Sequence, residues 1–247
     1  MPSSDELKRI AFEEIDSRAD EIINITKTIL NSPEPGFREI NTAKLVSEKL
    51  GNLGIPFRAG LAITGIRADL LCGNPGPTMA ILGELDSLIV NEHPFANPST
   101  GAAHACGHHC QIGMLLGAAM ALNQPKILES LSGRIALIAV PAEEYIEIEY
   151  RDELRKQGQL EFLGGKPELI KLGEFDDVDL AMMVHTTSTP EEKQLCVSGT
   201  NNGTVAKKIQ FIGKGSHAGG SPHLGINALN AATLALSAIH FNRETFK

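Results

Sequence analysis

Between His104 and Cys110 the chain reads His-Ala-Cys-Gly-His-His-Cys, three histidines and two cysteines in seven consecutive residues. Thiolate sulfur and imidazole nitrogen are the ligands of zinc-like metals. In a helix, His104 and His108 would share a face at i,i+4. In an extended loop, Cys106 and His108 would point the same way at i,i+2. Gly107 favours the loop. A buried cysteine among hydrogen-bonded histidines is the plainer reading, and it accounts less well for that density of imidazole.

Two further groups could complete such a site. Pro141-Ala142-Glu143-Glu144 follows the apolar run Arg134–Val140, so adjacent carboxylates leave the end of a strand. Neighbouring side chains on extended backbone diverge, which lets one bind a metal while the other faces a water and serves as general base. Glutamate pairs are common on surfaces, and this one gains meaning from the histidine cluster. His185 closes the run Val178–Val184, and Asp86 follows a strand ending at Gly83. Taken alone, a histidine there is a surface residue; a carboxylate at Asp86 could orient a ligating imidazole from behind.

The elements that must position these groups read as an α/β alternation. Ser3 and Glu6 have capping-box spacing, and Ile10, Ile15, Ala19, Ile22 and Ile29 follow at near-helical intervals, predicting one long helix that ends at Asn31-Ser32-Pro33. A second helix is predicted over about Glu39–Leu53, closed by Gly54 and Pro56. Strands follow at Gly65–Leu71 and Thr78–Gly83, then a small-residue helix at Gly113–Leu122 and the strand Arg134–Val140. The predicted architecture is a mostly parallel sheet flanked by helices, with Glu84-Leu85-Asp86, Glu143-Glu144 and His185 all at strand ends, where such sheets bind ligands. The charged segment from Ile146 to Phe162 suits a solvated helix. After Ser198–Gly203 the pattern restarts, with a strand over Thr204–Ile212 and a helix from about Leu224 to Phe241. That is the opening of a second, smaller domain, and we take residues 1–200 and 201–247 as the two parts.

Composition narrows the partners. The chain has 247 residues, 42% of them hydrophobic, enough for a full core, and its formal charge of −8 is spread along its length. That balance, with no tryptophan and 4% aromatic residues, argues against nucleic acid and an anionic membrane surface and for a small-molecule substrate. No apolar run approaches a membrane span and MPSSDELKRI lacks a signal-peptide core, so a cytoplasmic protein is the expectation. Four scattered cysteines form neither a disulfide framework nor a Cys-x-x-Cys pair. Gly213-Lys214-Gly215-Ser216-His217-Ala218 imitates a dinucleotide fingerprint, but Pro222 and His223 intervene before the helix and no acidic residue follows at the required strand end.

Read together, the motifs resemble the metallopeptidase family of aminoacylase-1, carboxypeptidase G and hippurate hydrolase, and within it the amidohydrolase branch of auxin-conjugate hydrolases and β-alanyl-dipeptidase-like enzymes. The resemblance runs through Asn31–Phe37, Gly83–Asp86, His104–His108, Pro141–Glu144, Gly164-Gly165, His185 and Gly213–Ala218, in order along nearly the whole chain. It implies a phosphorylase/hydrolase-like catalytic domain holding two divalent ions, zinc or manganese, and a smaller α+β lid that dimerises. By position it implies Cys106, His108, Glu144 and His185 as metal ligands, Glu143 as general base and Asp86 behind the ligands. It further implies His217 as a donor to the oxyanion, reaching across a homodimer. The implied reaction is hydrolysis of an amide bond in an N-acyl amino acid or dipeptide.

Two departures qualify the match. Where the family often has aspartate after Cys-Gly-His, this chain has His109, and family members continue past the equivalent of Lys247 with the rest of the lid and a last histidine ligand. The expectation is therefore an enzyme-type sequence truncated within its lid. The rival readings are an inactive member kept for metal binding or dimerisation, and a single structural zinc on Cys106 and His108.

Overall fold

The computed structural model describes residues 2–187, 195, 197, 203, 205 and 207–246. Its contacts cluster into two compact units, Met1–Ser198 and Gly199–Lys247. In the first unit three helices, α1 (Ser4–Ser17), α2 (Ala19–Leu30) and α3 (Ile40–Asn52), precede strands β1 (Phe57–Leu61), β2 (Gly65–Leu71) and β3 (Asn74–Glu84). The short strands β4 (Leu88–Ile89) and β5 (Ala102–Ala103) lead to α4 (His108–Leu122) and α5 (Pro125–Ser130). Then come β6 (Ser132–Val140), α6 (Ile148–Lys156), α7 (Gly165–Lys171) and β7 (Leu180–Met183).

The long first helix of the sequence reading is two helices. Arg18 interrupts it at φ −107° and ψ 12°, its N–H shared between Glu14 and Ile15 carbonyls. No glycine or proline marks the break. Asp20 and Glu21 in the first turn of α2 suit a fresh N-terminus, and only α2 buries residues, Ile25 and Ile29, whereas α1 buries none.

The main sheet has the order β1-β2-β6-β3-β7. β6 and β7 run parallel to β3, while β1/β2 and β2/β6 are antiparallel, so the sheet is mixed rather than mostly parallel. Apolar patterning cannot tell strand direction: Ile66, Ala68 and Leu70 are as well buried against an antiparallel neighbour as against a parallel one. The register places Glu84 beside Val140 and Leu82 beside Met183, which brings the carboxyl ends of the three parallel strands to one edge.

One face of the sheet is covered by α2, α3 and α4 through Ile25, Ile29, Val46, Leu50, Ile112, Leu116 and Met120. Leu169 of α7 packs on the other face with Ala80, Leu82, Ile138 and Val140. Burying these apolar side chains supplies about 2 kcal/mol each and fixes both layers. Helix α4 lies close to α2 because Gly113 has no side chain; a Cβ there would collide with the Thr26 hydroxyl. No helix among the described residues is long and apolar enough to cross a membrane.

The second unit contains helix α8 (Ala228–Phe241), capped by the Asn227 side chain, which accepts from the Leu229 N–H at 3.0 Å. An isolated antiparallel bridge joins Lys214 and Ile226. Of the strand predicted over Thr204–Ile212, the described residues 205 and 207–212 are not in a strand. Thr204 and Ala206 lie outside the described residues.

Candidate metal centre

β3 ends at Glu84, β6 at Val140 and β7 at Met183, and beyond each end the chain turns into the same crevice. Leu85 N–H donates to the Val140 carbonyl at 2.9 Å, extending the β3/β6 ladder into the loops and holding Asp86 near Glu144. Asp86 is fully buried; its Oδ2 accepts the Glu144 N–H at 2.9 Å. Its backbone carbonyl lies 2.8 Å from His108 Nδ1. That bond leaves Nε2 as the nitrogen His108 could offer to a metal.

His108 opens α4 because Gly107 stands before it at φ +89°, a left-handed conformation that suits glycine. A Cβ at Gly107 would also collide with Thr186, whose hydroxyl donates to the Cys106 carbonyl at 2.9 Å. The segment is thus a loop through Gly107, as its sequence indicates, and this contact brings the β7 exit beside it. Cys106 Sγ lies 3.4 Å from His185 Nε2. Cys106, His108 and His185 offer sulfur and nitrogen atoms that all lie within 4.8 Å of one another. Glu144 Oε1 is 3.9 Å from His108 Nε2 and is buried without a hydrogen-bond partner, as is Asp86 Oδ1. Buried polar atoms without partners are costly; a cation at His108 Nε2 would satisfy Glu144 Oε1, whereas Asp86 Oδ1 faces His108 Nδ1 at 3.3 Å. The donor set is one that zinc accepts.

A second wall of the crevice went unassigned in the sequence. Glu84 is buried; its Oε2 accepts from Gln111 Nε2 at 3.1 Å, and its own N–H donates to Gln111 Oε1 at 2.9 Å. Its Oε1 accepts from Lys166 Nζ, and Lys166 also lies 3.5 Å from Glu143 Oε1. His108 Nε2 stands 2.9 Å from Glu84 Oε2 but outside hydrogen-bonding geometry. Glu84, His108 and Glu143 form a second group whose donor atoms fall within 4.8 Å. Glu84 could have been suspected from its strand-end position, which it shares with Asp86. Nothing local marks Lys166 or Gln111.

The glutamate pair is held from behind. Ala142 is buried at φ +47°; its N–H donates to Glu39 Oε1 at 2.7 Å, and its carbonyl accepts from Gly165 N–H at 3.1 Å and Arg151 Nη1 at 3.3 Å. Arg151 is fully buried and also donates to the Leu163 carbonyl at 2.8 Å. The charged helix α6, whose sequence suits a solvated helix, therefore turns one guanidinium inward. A non-glycine residue in that conformation is strained, and these bonds maintain it.

Charge follows burial. Burial pushes the Cys106 thiol up to about 12, aided by Glu144, Glu143 and Glu84, so a metal must displace its proton. His108 is pulled down by burial, but Asp86 and Glu84 outweigh it and hold it at about 10. Burial raises Glu84, and His108 and Lys166 more than offset it, leaving about 2. Glu144 is raised, chiefly by burial. Next to the centre, His104 falls to about 3 through burial and the neighbouring His109 and His108, and both its ring nitrogens lack partners. His109, in the place of the expected aspartate, lies with its ring centroid 5.4 Å from that of His104. His217 belongs to the second unit, where its Nδ1 accepts the Gly220 N–H at 2.8 Å.

Sulfur, nitrogen and oxygen donors at the carboxyl ends of parallel strands define a metal-binding α/β domain. The chain belongs to Peptidase family M20/M25/M40, whose sequence pattern matches residues 80–237. It is 34% identical over 230 residues to thermostable carboxypeptidase 1 of Saccharolobus solfataricus, covering 90% of this chain and 53% of that protein. It is 35% identical over 188 residues to the indole-3-acetyl-aspartic acid hydrolase of Enterobacter agglomerans, covering 72% and 39%. The crystal structure of a dinuclear metal-binding M20 peptidase from Bacillus subtilis matches with a TM-score of 0.54 and 25% identity, over 67% of this chain and 42% of that one. The chain spans about half the length of these relatives.

Proposed function

We propose that the chain carries the catalytic half-site of a metal-dependent amide hydrolase acting on N-acyl amino acids or dipeptides. The observation that carries this reading is the Cys106–His108–His185 group, its donor atoms within 4.8 Å, with the unpartnered Glu144 carboxylate oxygen beside it. The relatives, a carboxypeptidase and a hydrolase of an indole-3-acetyl amino acid, support an amide to an amino acid as the bond cut. Cys106, His108, Glu144 and His185 hold the ions, zinc or manganese, two in the assembled site. When bound, such ions lower the pKa of a water and polarise a carbonyl.

The residues of the chain then divide the proton work. Glu143 takes the proton from the attacking water and later delivers it to the leaving amine. Asp86 holds His108 in the tautomer whose Nε2 faces the ion. Lys166 restrains the Glu143 carboxylate at 3.5 Å. His217 donates to the developing oxyanion across a homodimer formed through residues 201–247. Retention of Glu143 beside Glu144 speaks for an enzyme over a protein that only binds, since a binder has no use for the base.

Metal content by elemental analysis and hydrolysis of N-acyl amino acids and dipeptides test the reading, on this chain and on one extended beyond Lys247. The expected result is bound divalent metal in both and hydrolysis that Glu143→Ala abolishes while leaving the metal in place. Chains that take up no divalent metal, or hydrolysis unaffected by Glu143→Ala, would overturn it.

A further inference from the structure

The two donor groups of the crevice share one residue, and that residue has one nitrogen to give. His108 Nδ1 is committed to the Asp86 carbonyl at 2.8 Å, so both Cys106–His108–His185 and Glu84–His108–Glu143 depend on Nε2. An ion bound through His108 to one group is lost to the other. The Glu84 group is the better preformed of the two. Glu84 is pinned by two bonds to Gln111 and is buried, whereas His185 is exposed. Two carboxylates and an imidazole are an acceptable ligand set for zinc, manganese and similar ions. Rigidity and charge alone would send the ion to the wrong side, where it would capture Glu143 as a ligand and remove the general base.

Lys166 stands against that outcome. Its ammonium donates to Glu84 Oε1 and lies 3.5 Å from Glu143 Oε1, so it sits between the two carboxylates that the second group needs. A unit positive charge within a few ångströms of a divalent ion, in a partly desolvated crevice, repels it strongly. Helix geometry does not explain a lysine there: Lys166 is the second residue of α7, where the helix dipole disfavours a cation. The two carboxylates are what hold it.

We propose that Lys166 is an internal cation that denies the Glu84–His108–Glu143 group to a metal ion, directs the ion to Cys106, His108 and His185, and leaves Glu143 free. The inference rests on the metal-centre reading above and has its own readout. Cobalt(II) bound by a thiolate shows a charge-transfer band in the near ultraviolet, which carboxylate and imidazole ligands do not produce. Co²⁺ is therefore titrated into the wild-type chain, Lys166→Met, Lys166→Gln, Lys166→Arg and the double variant Lys166→Met/Glu84→Gln, with folding of each checked by circular dichroism.

The expected result is a full band in wild type and Lys166→Arg, loss of the band at equal cobalt loading in folded Lys166→Met or Lys166→Gln, and its return in the double variant, which lacks the competing carboxylate. A folded Lys166→Met or Lys166→Gln chain that keeps the wild-type band overturns the role of Lys166 alone. Cobalt binding by wild type without a thiolate band overturns the metal-centre reading itself, and the role of Lys166 with it.

Discussion

The back wall of the crevice and its rim are held by different means. Asp86, Glu39, Arg151 and Ala142 are buried and bonded to one another's neighbours through the backbone turn that carries Glu143 and Glu144. Cys106 is half-buried and His185 exposed just beyond the edge strand β7, joined by a 3.4 Å approach and the Thr186 hydroxyl bond. The back wall is preorganised by the fold, at a cost in desolvated charge. The rim is inexpensive to fold, and the proposed ion would complete it. Substitutions should therefore separate: those behind the site act on stability, those at the rim on metal affinity.

The largest effect on folding is expected from Arg151→Met. It removes a buried guanidinium, loosens the carbonyls of Ala142 and Leu163, and takes away a positive charge that interacts with Asp86 and Glu39. The loss should be roughly 3 kcal/mol or more in urea unfolding. A loss below about 1 kcal/mol would remove Arg151 from the clamp.

Glu39 sharpens the same contrast through pH. Burial, with the charge of Asp86, raises its carboxyl from 4.5 to about 7 in the folded chain. Between those values the unfolded chain has lost a proton that the folded chain keeps, so stability from this group is greatest below pH 4.5 and declines as pH rises through 7. Glu39→Gln keeps an acceptor for the Ala142 N–H and cannot ionise. Its stability relative to wild type should increase by roughly 3 kcal/mol across that window, read from urea unfolding at successive pH values. A difference independent of pH would show that Glu39 is ionised throughout.

Asp86→Asn probes the junction of wall and rim. It keeps the backbone carbonyl beside His108 Nδ1 but removes the carboxylate charge whose Oδ1 lies 3.3 Å from that nitrogen and whose Oδ2 accepts the Glu144 N–H, and metal affinity should fall about 10–100-fold by competition with a chelating dye. Wild-type affinity in this variant would sever the wall from the ion. The smallest change in folding belongs to His185→Gln, within about 0.5 kcal/mol of wild type because the side chain is exposed, with metal affinity nonetheless reduced. Unaltered metal affinity there would exclude His185 as a ligand and unbalance the comparison.

How much of this could be read from residues alone depends on how local each feature is. The Gly107 loop, the strand at Gly65–Leu71, the strand read as Arg134–Val140 and found over Ser132–Val140, and the placement of acidic groups just after apolar runs were legible, because each is decided within a few residues. The single-residue break at Arg18 was not, since both halves keep helical spacing. Nor was the inward turn of Arg151, because the charge pattern of α6 looks solvated until Phe37, Ala142 and Leu163 are packed around it.

The amino-acid sequence by itself determined the kinds of donor atom, their presentation at strand ends, and membership in a family defined by those motifs. The tertiary structure decided which donors meet. Cys106 and His185 are 79 positions apart, Glu84 and Lys166 are 82 apart, and both meetings follow from the order β6-β3-β7 and the layer of α7. Residue patterning records which face of an element is apolar and carries no record of its neighbour. Only packing the layers brings two groups of candidate donors onto a single histidine nitrogen, with a lysine standing between the carboxylates of one of them.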